Sequence, residues 1–255
     1  FCNESALDII TMLKDACAGV GMQWATGCAI ASVEHHPGQE AAFVVLTDSG
    51  SFRAASLVVA SGGLSIPKIG ATSFGYRLAE QFGIPVVAPK PALVPLALAP
   101  EVFDSLKPLA GSTLDAAPSV PIAQGGPDAR FRENVLLTHR GLSGPAILQI
   151  SSYWQMQEYF GKRPPLSIDL MPGLDAAAWL HDHRESRSLL PNLLSEHMPR
   201  RFAQEWCTLI LGEQVQTRTI AELGRRDLVQ LATALNAWQI MPSGTLGYAK
   251  AEVTL

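Results

Sequence analysis

Leu57-Val58-Val59-Ala60-Ser61-Gly62-Gly63-Leu64-Ser65-Ile66-Pro67 runs on into Lys68-Ile69-Gly70-Ala71-Thr72-Ser73-Phe74-Gly75-Tyr76. The apolar residues Leu57 to Ala60 read as a short buried strand. Ser61-Gly62-Gly63 ends it, a Pro/Gly-rich loop follows, and Ser73 opens a helix signal. Glycines at a strand end let the main chain come close to a ligand where a Cβ would clash. In open α/β sheets that strand end is where ligands bind. The chemistry is therefore expected here, around a flat cofactor or a phosphate-bearing molecule.

Composition supports a folded protein with room for two units. The chain has 255 residues, 47% of them apolar and 16% charged, which is ample for a core and argues against disorder. The formal net charge of −4 offers no basic field, so the expectation is no nucleic-acid partner and no membrane-surface partner. No apolar run is long enough to span a bilayer. Phe1-Cys2-Asn3-Glu4 is neither a signal peptide nor a natural start, and the expectation is a piece of a longer chain. Cys2, Cys17, Cys28 and Cys207 lack C-x-x-C spacing, which reads as reduced thiols in a cytoplasmic protein rather than a disulfide framework.

Outward from the opening stretch, Ser5-Ala6-Leu7-Asp8 resembles a capping box. Ile9, Ile10, Leu13 and Cys17 then recur at helical spacing until Gly19 and Gly21. Met22 to Val33 reads as extended, Phe43 to Thr47 as a strand, Asp48-Ser49-Gly50 as a turn, and Phe52 to Ala54 as the return. Downstream, Phe74, Leu78, Ala79 and Phe82 form a helix face closed by Gly83, and Pro85, Pro89, Pro91 and Pro95 keep the chain extended. A domain crossing is placed near Pro89. Residues 91–171 read as β-rich, with strands at Val135 to Thr138 and Leu166 to Leu170. Between them Ser143-Gly144-Pro145 opens a helix carrying Ile147, Ile150 and Trp154. Residues 175–240 read as helical, and Leu223, Leu228, Leu231, Leu235 and Trp238 make an apolar stripe on the last helix. Ala251 to Leu255 returns to a strand pattern.

Several conspicuous residues read as structural. No G-x-G-x-x-G or Walker A sequence occurs. His35-His36, beside Pro37-Gly38, reads as a solvated turn, since no second cluster supplies metal ligands. His181 and His183 point to different helix faces and read as surface residues. Arg200-Arg201 and Arg225-Arg226 read as solvated charges, and Trp24, Trp154, Trp179, Trp206 and Trp238 as core or subdomain-interface aromatics.

His139-Arg140-Gly141-Leu142-Ser143-Gly144-Pro145 is more informative. A His and an Arg follow a strand and precede a helix N-terminus, whose free N–H groups favour anions. Arg140 can fork onto a carboxylate or phosphate, and His139 can move a proton near neutral pH. Equally, Arg140 ties the loop to carbonyls and Ser143 only caps the helix; spacing leaves both readings open.

With these residues the chain resembles a BaiN/YhiN-type flavoprotein, a family of NAD(P)/FAD-dependent, aminoacetone oxidase-like oxidoreductases. The resemblance runs through Ala60 to Pro67, Gly70-Ala71-Thr72, Gly75-Tyr76 and Pro91 to Leu96. It continues through Leu136 to Ala146, Gly244-Thr245-Leu246-Gly247-Tyr248 and Ala251-Glu252-Val253-Thr254. It implies an α/β fold: part of a two-dinucleotide-binding-type FAD domain with an inserted β-barrel-like domain and a helical subdomain. Residues 1–88 would be part of the FAD domain. Residues 89–250 would be the insertion, β-rich over 89–172, helical over 173–240 and returning over 241–250. Residues 251–255 would start the return. The family's N-terminal glycine fingerprint and C-terminal flavin segment do not occur in this sequence, and the chain alone is expected to bind FAD poorly or not at all.

The resemblance also implies site residues. Ile30 aligns with the strand position whose backbone meets the adenine; Ser61, Gly62 and Gly63 align with the strand end bordering FAD; Ser65 and Pro67 line the flavin side. His139 and Arg140 stand as catalytic candidates, Arg140 facing an anionic substrate group. The implied activity is FAD-dependent oxidoreduction of a small-molecule substrate, with NADH or NADPH as reductant. The alternative is a non-catalytic flavin-binding or ligand-sensing protein, and a third reading makes residues 91–250 an interaction surface. Substrate and oligomeric state are not legible.

Overall fold

The computed structural model describes residues 5–122 and 125–255, so the reading of Phe1 to Glu4, Cys2 included, lies outside the described residues. The chain divides between Ala60 and Ser61 into two compact units. In the first, α1 (Ala6–Gly19) starts where Ser5 Oγ accepts the Leu7 N–H at 3.1 Å. It is followed by β1 (Ile30–His35), β2 (Phe43–Thr47) and β3 (Gly50–Ala54), an antiparallel meander in that order. Val33 and Val44 are the buried apolar side chains of this unit, and α1 buries none. His35 stacks on Phe43 at 4.6 Å and His36 Nε2 lies 3.1 Å from Glu34.

The second unit opens with the 61–71 loop and α2 (Phe74–Gln81). Gly83 closes α2 with φ 71°, and the Ile84 and Gly83 N–H groups donate to the Ala79 and Glu80 carbonyls at 2.9 Å each, a Schellman arrangement. Then come β4 (Pro91–Ala92), β5 (Leu96–Leu98), α3 (Pro100–Leu106), β6 (Thr113–Val120), β7 (Ala129–Arg130), β8 (Glu133–Thr138) and β9 (Gly141–Ser143). After α4 (Pro145–Met156) and β10 (Leu166–Asp169), the helical part comprises α5 (Ala176–Asp182), α6 (Leu190–Leu194), α7 (Arg200–Leu211) and α8 (Arg225–Ala237). β11 (Trp238–Ile240), β12 (Pro242–Thr245) and β13 (Val253–Thr254) complete it.

The large sheet pairs in the order β11-β10-β6-β8-β9-β5-β12, with β7 also on β6. Its two terminal strands are consecutive in the chain and separated by Met241 alone. Since successive Cα atoms are about 3.8 Å apart, the end of one edge strand adjoins the start of the other, and the sheet curves into a barrel-like layer. α4 covers it with Ala146, Ile147, Ile150 and Trp154, all buried. The core continues through Leu190, Phe202 and Trp206 to Leu231, Leu235 and Trp238. Asn236 ties the helices to the sheet: its Oδ1 accepts the Ala176 N–H at 2.8 Å, and its Nδ2 donates to Asp169 Oδ1 at 3.0 Å and to the Leu174 carbonyl at 2.9 Å. Asp169 also accepts from Arg130 Nη2 at 2.6 Å and from the Met171 N–H at 3.1 Å.

The fold is thus mixed α/β with a barrel-like sheet, and it corrects several sequence expectations. Every strand pair among the described residues is antiparallel, so these residues contain no parallel dinucleotide-binding sheet. Leu57 to Ala60 forms no strand, and Val58 is 85% exposed. A strand exists only by laddering to another, and no described segment pairs with this one. For the same reason the extended reading of Met22 to Val33 shrinks to a strand beginning at Ile30. Trp24 is exposed rather than packed. His183 is not a free surface residue: Nδ1 lies 2.8 Å from the Trp179 carbonyl and its ring packs on Trp179. Leu223 and Trp238 are buried but flank α8 instead of lying on it. No described helix is long and apolar enough to cross a membrane.

Candidate functional site

The opening motif builds a cavity of about 520 Å³ in the second unit, lined by Ser61, Gly62, Gly63, Ser65, Ile69, Gly70, Ala71, Tyr76, Glu252, Val253 and Thr254. Two segments far apart in sequence form it: the loop before α2 with Tyr76 on that helix, and β13, which pairs antiparallel with β4. Thr254 joins them. Its Oγ1 accepts the Leu64 N–H at 2.8 Å and lies 3.2 Å from Ser65 Oγ.

Gly63 is what allows this. A Cβ there would sit 2.4 Å from Thr254 Oγ1 and 2.7 Å from Thr254 Cβ, distances that real Cβ atoms do not show. The sequence expected the bare backbone to receive a ligand; at Gly63 it receives the Thr254 side chain. Gly62 does face open space, with φ 74° and nothing within 4 Å of a built Cβ.

The next residues carry strain. Ile66 has φ 55° and ψ 66°, a left-handed conformation costly for a β-branched residue and doubly unusual before Pro67. It is held because the Ile66 N–H donates to the Tyr248 carbonyl at 2.9 Å, while its own carbonyl accepts from the Ile69 N–H at 3.0 Å. Strain of this kind clusters at ligand-binding sites. Behind the loop, the buried Tyr248 hydroxyl has no hydrogen-bond partner among the described residues. Burial, then the neighbouring Tyr76 and Tyr159 hydroxyls, push its pKa above the ordinary tyrosine value, so it stays protonated at neutral pH.

Of the sequence candidates, Ser61, Gly62, Gly63 and Ser65 come together around this cavity. Pro67 starts a short 3₁₀ turn, Pro67–Ile69, and it is Ile69 that lines the wall. Ile30 is the first residue of β1 in the other unit, 47% exposed. Sequence reasoning missed Tyr76, Glu252 and Thr254 as site residues. The blocks Gly75-Tyr76 and Ala251 to Thr254 were the available signal, but nothing local ties Thr254 to a residue 190 positions earlier.

His139 and Arg140 are not at the helix N-terminus that the sequence suggested. They form the exposed two-residue turn of the β8–β9 hairpin, with Thr138 paired to Gly141, and β9 separates them from α4. Thr138 Oγ1 accepts the Arg140 N–H at 3.2 Å and donates to the Gly141 carbonyl at 3.1 Å. The two glycines after them are packing requirements. A Cβ on Gly141 would lie 2.1 Å from the Leu96 carbonyl oxygen, and one on Gly144 2.5 Å from that of Asn134.

The cavity's donor set is neutral. Ser61, Ser65, Tyr76 and Thr254 offer hydroxyls, Glu252 is the charged side chain of the lining, and no cation lines it. That suits a flat polar heterocycle or a polyhydroxylated chain, and it does not suit a pyrophosphate.

Residues 90–253 match the family described as "HI0933-like protein barrel and H2TH domain". The chain is 39% identical, over its whole length and 60% of the relative, to a ribosomal RNA dihydrouridine synthase of Escherichia coli. It is 36% identical, again over its whole length and 61% of the relative, to the protein of the same name from Haemophilus influenzae. A 3-dehydro-bile acid delta(4,6)-reductase of Clostridium scindens is 28% identical over 53% of this chain and 32% of the relative. The chain thus spans about three-fifths of the length of the two relatives it matches end to end. The expectation of no nucleic-acid partner is overturned, because both of those relatives are named for ribosomal RNA. A net charge of −4 averages the whole surface and says nothing of local faces. The match over residues 90–253 covers most of the chain, which belongs to the HI0933-like barrel and H2TH domain family.

Proposed function

We propose that this chain carries part of a flavin-dependent reductase that converts a uridine of ribosomal RNA to dihydrouridine. The observation that carries the reading is the end-to-end similarity to two ribosomal RNA dihydrouridine synthases. Residues 1–88 are taken as part of an FAD-binding domain, 89–250 as an inserted domain, and 251–255 as the return. Dihydrouridine forms when the carbon–carbon double bond of the uracil ring gains one hydride and one proton. A bound FAD, once reduced by NADH or NADPH, would supply the hydride, and the proton would come ultimately from solvent.

The chain's own residues have assigned parts. The open backbone at Ser61-Gly62 and the hydroxyl of Ser65 would bind and orient the flavin side of the cofactor, with Pro67 fixing the loop. The hydroxyl-rich lining without a cation fits that portion, and the pyrophosphate belongs elsewhere. The Ile30 backbone would meet the adenine. His139 and Arg140, on an exposed hairpin tip, are placed against the RNA, where Arg140 suits a phosphate.

The test is the full-length parent protein, purified without added cofactor and incubated with NADH or NADPH and ribosomal RNA from a strain lacking its gene. Nucleoside mass spectrometry should find uridine gaining two hydrogens at a discrete position. Retained flavin without reduction of any substrate would instead support the non-catalytic flavin-binding reading. A second reading, reduction of a small unsaturated ketone, is favoured by the bile-acid reductase relative. It predicts NADH or NADPH oxidation that RNA neither stimulates nor requires.

A further inference from the structure

We infer that Thr254 is the positioning residue that fixes the Gly63–Ser65 loop in its flavin-receiving form. This rests on the reading of the cavity as the flavin site. Three observations converge on one side chain. Its Oγ1 accepts the Leu64 N–H at 2.8 Å. The same atom lies 3.2 Å from Ser65 Oγ, so one of the two hydroxyls donates to the other. Its Cβ and Oγ1 fill the space that any Cβ on Gly63 would occupy. The hydroxyl and the missing side chain are complementary halves of one latch.

What the latch holds is a loop that would not hold itself. Ile66, two residues beyond Leu64, is in a left-handed conformation that costs free energy unless its surroundings fix it. Two ties from the far end of the chain do so: the Tyr248 carbonyl on the Ile66 N–H at 2.9 Å, and Thr254 on Leu64 and Ser65. β13 is itself anchored. The Leu255 N–H donates to the Lys90 carbonyl at 2.8 Å, and the Lys90 N–H to the Leu255 carbonyl at 2.9 Å. The strand is thus a fixed post, and the loop is fastened to it through a single hydroxyl. A backbone N–H deprived of its acceptor there must find water or another partner, which moves the loop.

The experiment uses the full-length parent protein with FAD as probe. Thr254→Val keeps the side chain's size and removes the acceptor; Thr254→Ser keeps the hydroxyl. For Thr254→Val the FAD dissociation constant, from flavin fluorescence quenching, is expected to rise about tenfold or more, with faster amide exchange at Leu64. Thr254→Ser should stay within about threefold of the parent, which a role through bulk alone would not produce. Gly63→Ala should weaken FAD at least as much as Thr254→Val. The inference is overturned if Thr254→Val binds FAD like the parent, if Val and Ser weaken it equally, or if only the melting temperature moves. A parent protein that binds no FAD at all would sink the flavin reading itself and the inference with it.

Discussion

The two units of this chain differ in how much apolar surface they bury within the chain. In the first, α1 and the three-stranded meander are well formed, yet Val33 and Val44 are its buried apolar side chains, while Leu7, Leu13 and Trp24 are each more than half exposed. In the second, one continuous core runs from Leu96 on the barrel to Trp238 and Ile240 at the end of the helices. A capped helix and a tight meander can be specified by local signals. A curved, barrel-like sheet with helices folded over it is specified by burial, which supplies most of a domain's stability.

The sharpest way to break the comparison is to remove one side chain from each region. Phe202 is fully buried, with its ring edge-on to Trp238 at 6.2 Å. Phe202→Ala should cost about 3–5 kcal/mol, read as a lower denaturant midpoint by tryptophan fluorescence. Leu13, 55% exposed on α1, should cost no more than about 0.5 kcal/mol as Leu13→Ala. Equal losses would mean that α1 is packed in solution as firmly as the core.

Thiol chemistry tests the same contrast without a substitution. Burial in the core pushes the Cys207 pKa up to about 12 from an ordinary 9.0. That cuts its thiolate fraction at neutral pH by about a thousandfold, before steric protection is counted. Cys17 and Cys28 are only partly buried. Mass-spectrometric mapping after brief alkylation of the native protein should find Cys17 and Cys28 modified and Cys207 unmodified. Prompt labelling of Cys207 would show that the core opens on the time scale of the reaction.

The same division governs what could be read in the sequence. Ser5 at the start of α1, Phe43 to Thr47 as a strand, Gly83 as a helix stop and Gly144-Pro145 opening α4 were all legible, because each depends on residues within one or two turns of itself. The misses depend on partners. Gly141-Leu142-Ser143 is too short and too glycine-rich to look like a strand, and becomes one because β5 and β8 flank it. Leu57 to Ala60 has the composition of a strand and lacks a ladder. For the site, the loop motif singled out Ser61, Gly62, Gly63 and Ser65, and all four line one cavity. Thr254, the residue that holds that cluster in place, reaches it from 190 positions away, and no local pattern encodes that contact.

The His139–Pro145 motif brings both kinds of information into one hairpin, and a pair of substitutions separates them. Gly141 has φ 139°, and a Cβ there would lie 2.1 Å from the Leu96 carbonyl oxygen. That atom belongs to the neighbouring strand and cannot give way as a flexible side chain would. Gly141→Ala should therefore destabilise the barrel by about 1–3 kcal/mol, visible as a lower thermal midpoint. Arg140, its neighbour in the exposed turn, makes no ion pair among the described residues and uses its N–H on Thr138 through the backbone alone. Arg140→Ala should leave the midpoint unchanged within about 0.5 kcal/mol. In the full-length protein it should nonetheless weaken RNA binding severalfold, with a shallower salt dependence, because a phosphate contact would be lost. If Arg140→Ala altered stability and left RNA affinity intact, the turn would be only a turn, and the whole motif would be explained by the two backbones that Gly141 and Gly144 let come together.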